Sequence, residues 1–205
     1  MMRKALMNEK ILKLAKHLIC TSVLMVFVSS VNAATLTIEP ENSQISTGST
    51  FIVSVVVNGL GDHAPPSVST FDLDLAYDGT LFSFNNVVFG PGLGDESQSE
   101  SRSGFTPSLG LINVWEYSLL DVSGLEALQG SSVVLAKFEF TASKHGVGGF
   151  DLLLNTLGDG YGDPIPAVLI GGQVSSIDEP PTIWLFVSLL SSALIFKYSK
   201  QQTIV

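Results

Sequence analysis

Apolar residues recur at every second position through the middle of this chain, and that period limits the fold more than any other feature. In Phe71-Asp-Leu-Asp-Leu-Ala-Tyr-Asp78, Phe71, Leu73, Leu75 and Tyr77 point one way and Asp72 and Asp74 the other. Phe51 to Asn58 places Phe51, Val53, Val55 and Val57 on one face, and Val134 to Ala142 sends Ala136, Phe138 and Phe140 inward. A period of two with one apolar face describes a half-buried antiparallel strand. Further strands are expected at Thr35–Ile38, Phe82–Phe89, Leu111–Leu119, Phe150–Leu154 and Val168–Ser175. Gly, Asn, Asp and Pro punctuate the gaps, as in NGLGD, YDGT, GPGLGD, GVGG and LGDGYGDP. No long amphipathic helix precedes residue 177, and Leu119–Leu128 reads as a short turn. Many short strands in a one-domain length predict an all-β, antiparallel sandwich.

The two ends differ from this middle. Residues 1–33 read as a secretory signal: a basic start (Arg3, Lys4, Lys10, Lys13, Lys16), the apolar run Leu18–Val28, then SSVNA. That run is ~17 Å as a helix, short for a bilayer crossing. Signal peptidase, acting after the Sec machinery, is expected to cut between Ala33 and Ala34. Cys20 stands at the start of the apolar run, the wrong place for a lipid anchor. It is the single cysteine of the chain. The exported form therefore has no disulfide, thiol catalyst or thiolate metal site.

At the other end, Ile177-Asp-Glu-Pro-Pro-Thr182 leads into the apolar stretch Ile183–Phe196, followed by Lys197, Tyr198 and Lys200. Residues 183–196 make ~21 Å of helix, and with their flanks they barely span a ~30 Å hydrocarbon core. Trp184 and Tyr198 sit where interfacial aromatics belong, and the lysines predict a cytoplasmic end. Residues 177–205 resemble the PEP-CTERM sorting signal of Gram-negative bacteria: a Pro-Glu-Pro-like motif, a short transmembrane helix and a basic cluster. Here Asp178, Glu179, Pro180 and Pro181 form the motif, with Asp178 in place of the first proline and two lysines as the basic cluster. The resemblance implies recognition, and cutting, by an exosortase-type transpeptidase. It also implies tethering to the inner membrane through the C-terminus before release to the cell surface or extracellular matrix.

Between the ends, charge excludes some partners. Arg102, Lys137 and Lys144 face 18 acids between Ala34 and Thr182, a net charge of −15. Such a surface repels nucleic acid and anionic polymers. It suits Ca²⁺, neutral glycans or basic protein partners, and it keeps an exported domain soluble.

Residues 34–176 resemble a bacterial cohesin-type domain. The resemblance rests on FIVSVVVNGL, on STFDLDLAYDGTLFSF, on VVFGPGLGD and on GSSVVLAKFEFTASKHGVGGFDLLL, in that order and spacing. It implies a nine-stranded jelly-roll sandwich related to carbohydrate-binding modules. Dockerin-binding members of the family take their partner on one sheet face. Asp72, Asp74, Lys137 and Glu139 hold outward strand positions and are candidates for such a face.

No catalytic constellation is apparent, and the domain is read as a non-enzyme. His63 and His145 lie in loop-like stretches, HAPPS and SKHGVGG, without a partner pattern. HExxH, Walker and Gly-x-Ser-x-Gly motifs are absent from the sequence. Asp72 and Asp74 are spaced ~7 Å apart by strand geometry, which alternation alone explains without a glycosidase pair. Asn155, Asp159 and Asp163 place hard oxygens on a glycine-rich loop that suits Ca²⁺, although a tight turn between the last two strands is the expected role. No other cofactor is called for. Trp115 and Tyr117 alternate with Val114 and Glu116, so one of the two sets is in the core. Trp115 is expected to anchor the sandwich core, as large aromatics do. The alternative exposes Trp115, Tyr117 and Tyr161 for stacking on a polysaccharide. Phe89 to Phe105 reads as a mobile acidic loop, disordered or lining a binding surface. Two functions result: a surface module binding a dockerin-like protein, or a carbohydrate-binding module.

Overall fold

The structure, a computed structural model, describes residues 33–178. Residues 1–32 of the signal peptide, Glu179, Pro180, Pro181 and the apolar segment 183–196 lie outside the described residues. Among the described residues, no helix is long and apolar enough to cross a membrane.

Two sheets face each other. One carries five strands in the order β10 (Ala167–Ile170), β1 (Ala34–Pro40), β3 (Thr50–Asn58), β8 (Ser132–Ala142), β5 (Phe82–Phe89). The other carries six: β2 (Gln44–Ser46), β11 (Gly172–Ile177), β9 (Gly146–Asp159), β4 (Val68–Tyr77), β7 (Leu111–Ser118), β6 (Ser101–Ser108). The predicted all-β sandwich is present. One short helix, α1 (Val122–Leu128), stands where a turn was expected, its N-terminus capped by the Asp121 carboxylate on the Gly124 amide.

Every predicted inward residue of β3, β4 and β8 is buried except Tyr77, which is half-buried. The rings of Phe51, Phe82, Phe140 and Phe150 meet between the sheets at centroid distances of 5.2–6.2 Å. Burying each such side chain contributes about 1.5–3 kcal/mol. Edge-to-face and stacked contacts add to that.

Four features depart from the sequence expectation. The sheets are not wholly antiparallel, because β1 pairs with β10, and β2 with β11, in parallel. Both ends of the described domain switch sheets, the C-terminal one at Gly171, where an added Cβ would meet the Asp151 side chain and the Phe150 carbonyl at 2.8 Å. The GVGG stretch is not a gap but the start of β9. Gly148 faces inward there, and an added Cβ would lie 2.2 Å from the Phe82 ring.

The expected loop between Phe89 and Phe105 is likewise structured. It holds two single turns of 3₁₀ helix, Pro91–Leu93 and Glu96–Gln98, and the first half of β6. Leu93 is buried in the core, the Asp95 carboxylate accepts from the Ser97 amide, and the Asp95 amide donates to Glu100. β6 is an edge strand with solvent on its outer side, so its polar composition conceals its pairing with β7.

Because Gly148 makes the space for the Phe82 ring, Gly148→Ala should destabilise the fold by about 2 kcal/mol or more. Denaturant unfolding of the two chains measures this. Gly149→Ala, whose Cβ would meet nothing within 4 Å, is the control and should stay near wild type.

Candidate functional site

With Phe71, Leu73 and Leu75 committed to the core, strand geometry forces Asp72 and Asp74 onto the outer face of the six-stranded sheet. β4 lies between β7 and β9, so both aspartates have neighbours on each side. Asn113 on β7 sits opposite Asp74, and its Nδ2 donates to Asp72 Oδ1 and Asp74 Oδ1 at 2.8 Å each. Asn155 on β9 falls at a register shift beside Asp72, and its Nδ2 donates to Asp72 Oδ1 at 3.2 Å and to Asp74 Oδ2 at 3.4 Å. Two carboxylates and two amides thus form one cluster across three strands. A carboxylate offers about four acceptor sites, so the pair retains free acceptors directed at solvent.

Beside this cluster the face becomes aromatic. Trp115 pairs with Asp72 on one side and Gly104 on the other. A Cβ at Gly104 would lie 2.5 Å from the indole, so the glycine lets the ring lie against β6. Trp115 is 36 % exposed and Tyr117 43 % exposed, with their rings stacked at 6.1 Å and 12°. Leu111 and Leu153 are exposed on the same face. The expectation that Trp115 anchors the core is therefore corrected. Ile112, Val114 and Glu116 point inward instead, because the register that buries Phe71 and Leu73 fixes the alternation of β7.

The structure separates the remaining candidates. Lys137 and Glu139 lie on β8, on the outer face of the opposite sheet, so the four outward charged residues do not form one surface. Of the Ca²⁺ candidates, Asp159 and Asp163 share one turn and Asn155 is engaged elsewhere. Asn155 is on a strand and bonded to the aspartates, while Asp159 Oδ1 accepts the Tyr161 and Asp163 amides, closing the expected turn. Tyr161 projects from that turn, 67 % exposed. His63 is a loop residue whose Nδ1 meets the Glu126 carbonyl, and His145 is exposed at 3.7 Å from Asp178. Asp178 also accepts from the Thr47 hydroxyl, so the first residue of the tail motif is held against the domain. Ala33 is exposed and Ala34 buried, with the Ala34 amide donating to the Pro166 carbonyl.

Two polar residues of consequence gave little sequence signal: Glu116 only its place in the alternation of β7, and Gln129, at the end of α1, none. Gln129 is buried and exchanges hydrogen bonds with both backbone groups of Val68 while also donating to the Gly92 carbonyl. It ties the end of α1 to β4 and to the Pro91–Leu93 turn. Glu116 is 2 % exposed and its Oε2 has no hydrogen-bond partner among the described residues. Burial pushes its carboxyl up to about 7, with the Ser101 hydroxyl pulling the other way and the Glu96 charge adding to the rise.

A family model described as "Cohesin domain" matches residues 35–169. The chain belongs to the cohesin family. Among solved structures, this cohesin is similar to the one in a type I cohesin–dockerin complex from Clostridium thermocellum (TM-score 0.57, 18 % identity, 71 % of this chain and 100 % of that one). It is similar also to a non-cellulosomal cohesin from the archaeon Archaeoglobus fulgidus (0.55, 15 %, 71 % and 92 %). A third is a cohesin module of a family 33 glycoside hydrolase from Clostridium perfringens (0.56, 18 %, 72 % and 98 %). No curated protein matches the chain.

The buried Glu116 predicts a pH-dependent stability for this cohesin. The folded pKa is raised above the unfolded value of 4.5, so the folded state holds the proton more tightly. Stability is then full below 4.5 and lost as pH rises through about 7. Glu116→Gln should leave stability nearly unchanged near pH 5 and raise it near pH 8 by about 2 kcal/mol, the ~1.4 kcal/mol per pK unit being discounted for residual solvent access. Urea unfolding of both proteins at the two pH values measures this.

Proposed function

We propose that this cohesin is an exported, non-catalytic binding module that docks a dockerin-like protein on the outer face of β6, β7, β4 and β9. The cluster of Asp72, Asp74, Asn113 and Asn155 beside the exposed Trp115–Tyr117 stack carries the proposal. It joins unsatisfied acceptors to aromatic surface on a broad sheet, which is the composition of a protein-binding patch. A partner presenting hydroxyl, ammonium or guanidinium donors next to apolar side chains complements it. The similar structure from Clostridium thermocellum is of a cohesin in complex with a dockerin, which supports this class of partner.

Export and sorting belong to the same proposal. The signal peptide is removed at Ala33–Ala34, and the tail from Asp178 onward is a PEP-CTERM signal. That tail tethers the protein to the inner membrane until an exosortase-type enzyme releases it to the cell surface or matrix of a Gram-negative bacterium. The parallel pairing of β1 with β10 and β2 with β11 puts Ala34 and Ile177 at opposite ends of the strand direction. A membrane tether after Ile177 would then leave the far end of the domain outermost. Intact mass of the mature protein tests the sorting: a start at Ala34 and an end near Glu179–Thr182 are expected, whereas an intact Val205 makes the tail a plain anchor.

Exposure of Trp115 and Tyr117 favours a second reading, stacking on a neutral glycan. Calorimetry against a panel of dockerin modules and neutral polysaccharides separates the two. On the protein-binding account, Asp72→Ala with Asp74→Ala lowers dockerin affinity by about 10–100-fold, the loss of one or two charge-assisted hydrogen bonds. Trp115→Ala costs about 2 kcal/mol of binding, and Lys137→Ala with Glu139→Ala is neutral. Polysaccharide binding that depends on Trp115 but not on Asp72 and Asp74 would establish the glycan reading instead.

A further inference from the structure

On the inner side of β6 and β7, away from the docking face, a cleft of about 490 Å³ opens against the Pro91–Leu93 turn. Its lining combines an apolar part, Phe89, Pro91 and Leu128, with an acidic part, Asp95, Glu96, Glu100 and Glu116. Glu116 lines this cleft although it is almost fully buried, and its Oε2 has no hydrogen-bond partner among the described residues. A buried carboxylate oxygen left unpartnered is costly unless something completes it. The Glu96 carboxylate lies near enough to act on Glu116 electrostatically and, among the described residues, accepts only from the Ser103 hydroxyl. Arg102, the base next in sequence, is turned to the Ser101 carbonyl and makes no ion pair among the described residues.

We infer that this cleft receives the guanidinium of an arginine side chain from a protein partner. The size and the two-part lining select that chemistry. Among the described residues, no three acidic or histidine side chains converge closely enough to hold a metal ion. A planar fork of five donors can instead reach two separated carboxylates, while its face and aliphatic stem pack on Phe89, Pro91 and Leu128. The inference stands apart from the docking face described above: it rests on different residues, and either can fail without the other.

The test uses the full-length chain with ¹³C-labelled glutamate side chains. The Glu116 resonance is assigned by its absence in Glu116→Gln, whose fold is checked by its unfolding transition. N-acetyl-arginine amide is titrated near pH 8, with the uncharged N-acetyl-citrulline amide and CaCl₂ as comparisons. Saturable movement of the Glu116 carboxyl with the arginine compound is expected, at concentrations that leave it unmoved with the citrulline compound and with Ca²⁺. Glu96→Gln should weaken that binding by about fivefold. The inference is overturned if Glu116 fails to respond at tens of millimolar arginine amide, if citrulline amide moves it equally, or if only Ca²⁺ does.

Discussion

The rings of Phe51, Phe82, Phe140 and Phe150 pack between the sheets, and the chemistry of the outer faces depends on keeping them dry. They come from four strands, three in one sheet and one in the other, so the cluster fixes how the sheets lie against each other. Once Phe71, Leu73 and Leu75 join that interior, Asp72 and Asp74 have no choice of side. A slip of one residue would bury two carboxylates and expose three large apolar groups, a change of many kcal/mol. The acidic and aromatic patch is thus a by-product of core packing: the core sets the register, and the register sets which residues the face presents.

That dependence explains what could be read from the sequence. Strands with a clean alternation were legible because each half of the pattern reinforced the other, as in β3, β4 and β8. β7 was ambiguous for a physical reason. Its two faces carry Trp115 and Tyr117 against Ile112, Val114 and Glu116, and the residue that looks least fit for the interior, Glu116, is inside. Only the neighbouring strand decides the matter, and pairing partners are not visible along one chain. β6 was illegible because an edge strand with one solvated side need not look apolar. Asn113 and Asn155 joined the aspartates through cross-strand register and a bulge, neither of which has a sequence signature.

Two acidic sites of opposite character result from this arrangement. On the outer face, Asp72 and Asp74 are held by two amides and remain available to a partner's donors. On the inner side, Glu116 sits in a cleft with one oxygen unanswered and resists ionisation. The first is the patch a partner would meet on approach. The second is a place where a cation would find both a charge and an apolar lining. Membership in the cohesin family accounts for the frame on which both are built.

Oxidative footprinting of Trp115 and Tyr117 in the full-length protein, with and without a bound dockerin module, tests the central claim most directly. The account predicts that both side chains are labelled in the free protein and protected in the complex, while the opposite outer face around Lys137 and Glu139 is unchanged. Labelling of Trp115 and Tyr117 that is unaffected by a bound partner, or protection confined to the Lys137 face, would contradict it.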